Sequence, residues 1–177
     1  VPGVSAIIRK YLRCDRQAII LEVQTKPLIL VVDDQATIIR IMSSILQPMY
    51  DVCVATNGKK ALEVARTRQP DLILLDNMMP EMTGVETCMA LKEIPATKNI
   101  PVVFVTSMDD KHNEQMGFKA GAVDYMNKPP SAELVHARVS VHLRNQRQRV
   151  FLEQIARGEI TDPVLIQQSA RYLLDND

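Results

Sequence analysis

From residue 28 onward, short apolar runs alternate with stretches in which apolar residues recur at helical spacing. The runs predict strands over residues 28–33, 51–55, 72–76, 102–106 and 122–127. LILVVD, LILLD and VVFVT are almost continuously apolar until a polar last residue, which is how a strand buried on both faces of a parallel sheet reads. Between them, helices are predicted over residues 36–46, 59–68, 85–93 and 111–120, followed by a long one from 131 to about 155. In the first, Ile38, Ile39, Ile41, Met42 and Ile45 make one broad apolar face. Asn57-Gly58, Pro70, Pro80, Gly84, Pro101, Gly121 and Pro129-Pro130 mark the joints.

Strict alternation of strand and helix, with right-handed crossovers, leaves few arrangements other than an α/β (βα)5 three-layer sandwich around a five-stranded parallel sheet. Residues 27–145 hold that unit. Residues 1–26 carry Val4, Ile7, Ile8, Tyr11 and Leu12 at helical spacing, and are either an added helix or sequence from an upstream or non-native leader. Residues 146–177 read as a helical extension or a linker toward an output region. Within them Thr161-Asp162-Pro163 predicts a cap with proline at the first helical position, opening a helix to about residue 174.

Composition narrows the function. Lys plus Arg (21) equals Asp plus Glu (21), so overall charge gives no reason to expect nucleic acid or an anionic membrane as partner. Cys14, Cys53 and Cys88 are odd in number and lack zinc spacing, which fits a reducing, cytoplasmic setting. No apolar run approaches the roughly 20 residues that span a bilayer, and no secretory leader is recognisable. Because the chain begins with Val1, it is read as an excised or processed piece of something longer.

Any charge-based chemistry must then be local, and in an open parallel sheet it belongs at the carboxyl ends of the strands, where the strand order reverses. The sequence places Asp33 and Asp34 after the first strand, Asp76 after the third, Thr106-Ser107 after the fourth and Lys128 after the fifth. An aspartate at a strand end commonly caps a helix, Thr106 alone would be a β-branched strand residue, and Lys128 alone a solvated lysine. The set is what carries meaning. Three carboxylates gathered at one edge repel unless a cation intervenes, and oxygen donors suit a hard divalent ion such as Mg2+, with Mn2+ or Ca2+ in its place. A metal joining a carboxylate to a phosphate suggests phosphoryl transfer to Asp76, with Lys128 neutralising charge and Thr106 hydrogen-bonding an oxygen of the transferring group.

The segments LILVVDDQ, DLILLDNMMPEMTG, PVVFVTS and GAVDYMNKP, in this order and at these separations, closely resemble the signature segments of receiver domains of two-component response regulators. The resemblance covers about residues 27–145. It implies a flavodoxin-like sheet of order 2-1-3-4-5 with an extended C-terminal helix, Asp76 as phosphoacceptor, and a sensor histidine kinase or phosphotransfer protein as donor. It also implies that Asp34 ligates the metal, Asp33 acts through water, and the backbone carbonyl of Met78 adds an oxygen. Thr106 and Lys128 contact the phosphoryl group, Tyr125 is the aromatic partner of Thr106 in switching, and Pro80 and Gly84 shape the loop after Asp76. Phosphorylation would alter the surface formed by the fourth helix, the fifth strand and the fifth helix. The chain itself would be a stoichiometric phosphoacceptor and not an enzyme.

Some positions depart from that pattern. Two prolines follow Lys128 where the family places one, which would displace the start of the next helix. Met78 and Met108 lie two residues after Asp76 and Thr106, and neither thioether can orient an attacking water, so a long-lived phosphoryl-aspartate is expected. A hydrolase of the haloacid-dehalogenase type would need a second carboxylate at Met78, and a nucleotide carrier a glycine-rich loop after the first strand. A pseudo-receiver acting only as an interaction module is the remaining alternative. Val135, Val139, Leu143 and Val150 approach coiled-coil spacing, with Gln146 interrupting, which allows a homodimer through the last helices. Arg144, Arg147 and Arg149 are either part of such a signalling helix or a solvated face. No recognition helix for DNA is evident, and His112, His136 and His142 read as helix-surface residues.

Overall fold

A computed structural model describes residues 26–107 and 117–175. Its elements are β1 (Leu28–Val32), α1 (Ala36–Leu46), β2 (Asp51–Ala55), α2 (Gly58–Arg68), β3 (Leu72–Leu75), α3 (Gly84–Glu93), β4 (Val102–Thr106), β5 (Asp124–Asn127), α4 (Ala132–Ala156) and α5 (Pro163–Asp175). Residues 117–119 are helical, while the rest of the helix predicted over 111–120 lies mostly outside the described residues, as do residues 1–25.

The five strands form one sheet in the order β2-β1-β3-β4-β5, and every neighbouring pair is parallel. Alternation along each strand sends side chains to opposite layers. On one face Leu30, Val32, Ile73, Leu75, Val102 and Phe104 pack with Ala61 and Ala65 of α2 and Cys88 and Leu91 of α3. On the other, Ile29, Val31, Leu72, Leu74, Val103 and Val105 pack with Ile39, Met42 and Leu46 of α1 and Val135, Val139 and Leu143 of α4. This is why the central strands read as unbroken apolar runs: neither face meets water. Each fully buried Leu, Ile or Phe contributes roughly 1.5–3 kcal/mol, so the two layers hold the sheet rigidly under its loops.

Helix starts follow local chemistry. The Asn57 side chain accepts the Lys60 N–H at 2.9 Å at the start of α2. Thr83 and Glu86 form a reciprocal capping box on α3. Asp162 accepts the Val164 N–H at 2.9 Å, with Pro163 opening α5 as its sequence suggested. Ser131 accepts the Leu134 N–H at 3.2 Å, so α4 begins one residue beyond its expected start and Pro129-Pro130 stay in the loop.

Because the chain leaves β1 toward β2 and returns to β3 on the other side, the order reverses between β1 and β3. Their carboxyl ends flank the crevice where such sheets bind ligands.

Candidate functional site

β1 and β3 each end one residue before an aspartate, and the backbone keeps the two aspartates side by side. The Asp76 N–H donates to the Val32 carbonyl at 2.9 Å, and the Asp33 N–H to the Ala55 carbonyl at 3.2 Å, extending the sheet by one rung. Asp33, Asp76 and Thr106 are buried, whereas Asp34 faces solvent. Asp33, Asp34 and Asp76 each offer a carboxylate oxygen, all within 4.8 Å of one another. Asp33 is oriented locally, since its Oδ1 accepts the Gln35 N–H at 2.9 Å.

Lys128 arrives from the other side of the sheet. Its N–H donates to the Thr106 carbonyl at 2.8 Å, carrying the β4–β5 pairing past Asn127. Its ammonium is paired with Asp33 Oδ2 and lies 3.0 Å from Asp76 Oδ1. The sequence pointed to Lys128 beside Asp76, and the structure adds that it bridges both buried aspartates.

Electrostatics follow from this packing. Burial pushes the Asp76 carboxyl above its ordinary value, and the neighbouring Asp33 adds to that; Lys128 and the Met78 N–H pull it back down. Three carboxylates against one ammonium leave negative charge uncompensated at the rim. The donor set is all oxygen, two of its members are buried and held by backbone, and Asp34 leaves one side open to water. That combination fits a hard divalent cation that keeps several waters and shares a phosphate.

The loop after Asp76 is built around close approach. The Asn77 carbonyl accepts the Gly84 N–H at 2.9 Å and the Met79 N–H at 3.2 Å, while Asn77 Oδ1 accepts the Val85 N–H at 3.3 Å. A Cβ on Gly84 would lie 2.2 Å from the Asp76 carbonyl oxygen and 2.7 Å from Asn77 Cα, so only glycine lets α3 start against the aspartate's own backbone. Met82 N–H donates to the Pro80 carbonyl at 2.7 Å, and Glu81, at φ 65°, pairs with Lys59 at 3.0 Å. Met78 is 65% exposed beside the site.

Thr106 closes β4 opposite Asn127, and Tyr125 lies opposite Phe104. Tyr125 is half-buried, packed against the core layer formed with α2 and α3. Met108 and His112 lie outside the described residues. Sequence reasoning missed one cluster. Asp124 at the start of β5 accepts the Tyr125 N–H at 2.8 Å, a hydrogen bond from Arg138 at 3.0 Å, and His142 at 2.8 Å. His142 is therefore a tethering residue of α4 and not a free surface histidine; its spacing of four from Arg138 was the available signal. His136 likewise has a ring partner in Tyr50, the two rings tilted by 30° with centroids 6.2 Å apart.

The family model of the response regulator receiver domain matches residues 29–140, and the chain belongs to that family of two-component signalling modules. Among similar proteins is one from Vibrio cholerae named "Probable cyclic di-GMP phosphodiesterase", 44% identical over 124 residues, which cover 70% of this chain and 28% of that protein. Another is the alkaline phosphatase synthesis transcriptional regulatory protein PhoP of Bacillus subtilis, 35% identical over 139 residues, 78% of this chain and 57% of that protein. Chemotaxis protein CheY4 of Vibrio cholerae superposes with a TM-score of 0.63 at 30% identity, over 66% of this chain and 98% of its own. The chain thus spans less than two thirds of the length of both sequence relatives. Among the described residues no helix is long and apolar enough to cross a membrane.

Proposed function

We propose that this receiver domain takes a phosphoryl group onto Asp76 from a sensor histidine kinase or phosphotransfer protein, with Mg2+ held by Asp33, Asp34, Asp76 and the Met78 carbonyl. The observation that carries this reading is the convergence of Asp33, Asp34, Asp76 and Lys128 at the strand-order reversal. A carboxylate oxygen of Asp76 attacks phosphorus; the bond to the donor nitrogen breaks, and its electron pair leaves with the imidazole. Lys128, already 3.0 Å from Asp76, follows the developing charge, and the Thr106 hydroxyl donates to a phosphoryl oxygen. Mg2+, or Mn2+ or Ca2+ in its place, would supply charge neutralisation between the carboxylates and the phosphoryl oxygens when bound. Asp34 would hold the ion directly and Asp33 would hold it through water.

The new dianion then draws Thr106 toward it, and Tyr125 follows into the vacated space, altering the surface of β5, α4 and the helix that ends near residue 120. The working unit is residues 27–145, flanked by an N-terminal extension over 1–26 and a C-terminal extension over 146–177. It acts in the cytoplasm as a stoichiometric phosphoacceptor, without direct contact to nucleic acid or membrane, and self-associates through its last helices.

Labelling by acetyl phosphate with and without Mg2+, compared between the native chain and Asp76→Asn, tests the reading. Mg2+-dependent incorporation is expected in the native chain alone. Equal labelling of both proteins, or of neither, would turn the reading toward a pseudo-receiver acting as an interaction module.

A further inference from the structure

Asn77 stands between Asp76 and Met78 in the sequence and is buried, only 6% exposed. A buried amide needs polar partners, and Asn77 finds them at the start of α3. The first N–H groups of a helix have no partner within it. In α3 the Gly84 N–H donates to the Asn77 backbone carbonyl at 2.9 Å, and the Val85 N–H to its side-chain Oδ1 at 3.3 Å. The next N–H, that of Glu86, goes to the Thr83 hydroxyl at 3.2 Å. Asn77 therefore takes two of these donors from the far end of the loop, while Thr83, the adjoining cap, takes one.

The Asn77 carbonyl does more than cap. It also accepts the Met79 N–H at 3.2 Å, closing the turn that carries Met78. That carbonyl and the Met78 N–H belong to one peptide group, which is planar and moves as a unit. The Met78 N–H donates to the Asp76 carboxylate. One rigid plane is thus bonded to α3 at its oxygen and to the phosphoacceptor at its nitrogen. α3 is a firm support for it, since Cys88 and Leu91 are 0% exposed in the core layer and Thr83 and Glu86 close its capping box.

We propose that Asn77 is a positioning residue of the phosphoryl-transfer site. Bonded to the start of α3 through both its carbonyl and its side chain, it holds the peptide plane that orients the Asp76 carboxylate and presets the Met78 carbonyl for the cation. This rests on the roles of Asp76 and Met78 proposed above, and adds what keeps them in register. The Oδ1 bond is the part that depends on the side chain, because any residue at 77 would keep the carbonyl.

Binding of Mn2+ to the full chain, followed by the electron paramagnetic resonance signal of the free ion, tests this. Asn77→Ala loses the Oδ1 acceptor and should bind Mn2+ about five-fold more weakly, the worth of one ordinary hydrogen bond. In labelling by acetyl phosphate, the Mg2+ concentration for half-maximal rate should rise by a similar factor while the rate at saturating Mg2+ stays near native. Thr83→Ala removes the neighbouring cap on the same helix start; it should lower the urea midpoint and leave Mn2+ affinity unchanged. Native affinity in Asn77→Ala, or an equal loss in both variants, would reduce Asn77 to a helix cap and overturn the proposal. If the native chain binds no Mn2+, the cation site itself fails and the positioning role with it. The native chain provides a check that needs no variant: saturating Mg2+ should slow hydrogen exchange of the Gly84 and Val85 amides, and unchanged exchange there would also overturn the proposal.

Discussion

Asp33 and Asp76 are buried side by side with the Lys128 ammonium bridging them. Removing one member of a buried ionic set leaves the others unpaired, at a cost of about 3–5 kcal/mol. Lys128→Met should therefore destabilise the metal-free chain by about 3 kcal/mol in urea denaturation, and millimolar Mg2+ should restore part of the loss by supplying positive charge to the same carboxylates. A variant as stable as the native chain in EDTA would mean that the aspartates do not depend on Lys128. Gly84 is constrained as tightly. Its missing Cβ is the space in which the Asp76 carbonyl sits, so Gly84→Ala should cost about 1–3 kcal/mol and slow labelling of Asp76 by shifting its backbone. Unchanged stability and labelling would show that the loop yields freely. Asp33, Asp34, Asp76, Thr106 and Lys128 stood out in the sequence because each ends, or directly follows, a predicted strand. That Lys128 spans both buried aspartates was not readable, since it depends on side-chain reach across three strands.

At the scale of elements, β2 and β4 match their expected bounds, while β1 and β3 each stop one residue short, at Val32 and Leu75. The difference is the aspartate itself, which keeps one backbone hydrogen bond to the sheet but turns its side chain into the site. β5 starts two residues later than expected because Ala122 closes a turn onto Gly117 instead of entering the sheet. The tie between β5 and α4 was invisible for a related reason: Asp124, Arg138 and His142 meet only once the helix is laid across the strand. Burial alone would raise the Asp124 carboxyl, but hydrogen bonds from His142 and the Tyr125 N–H, with the Arg138 charge, outweigh it and hold the group below its ordinary value. A depressed carboxylate contributes stability above its unfolded value of about 3.9, and that contribution disappears as pH falls through the lower folded value. The stability gap between the native chain and Asp124→Asn should thus be full above about pH 4 and close in stronger acid. A gap that is constant down the acid limb would contradict the assignment.

For the whole molecule, the receiver and its C-terminal hairpin answer different questions. The receiver half was legible almost throughout, because buried parallel strands and capped helices leave strong one-dimensional signals. The last two helices were legible as helices, but not that Gly158 turns the second back so that the Leu173 carbonyl meets Gln148, because the helical spacing of Leu165, Ile166, Ala170 and Leu173 marks a face without naming what it meets. One consequence of the site belongs to this scale, since it sets how long the molecule stays switched. Met78 stands 65% exposed beside Asp76 and cannot align a water by hydrogen bonding. The phosphorylated chain should persist for minutes or longer in Mg2+ buffer, and Met78→Glu, which can position a water, should shorten that lifetime. Decay within seconds in the native chain would remove the idea.

The central claim, that Asp76 itself takes the phosphoryl group with a divalent ion beside it, is tested most directly by trapping the acyl phosphate. After acetyl phosphate treatment, borohydride reduction converts a phosphorylated aspartate to homoserine, which peptide mass spectrometry locates. Conversion at residue 76 that requires Mg2+ and disappears in EDTA is the predicted result. Conversion at another residue, or at residue 76 with equal yield in EDTA, would contradict it.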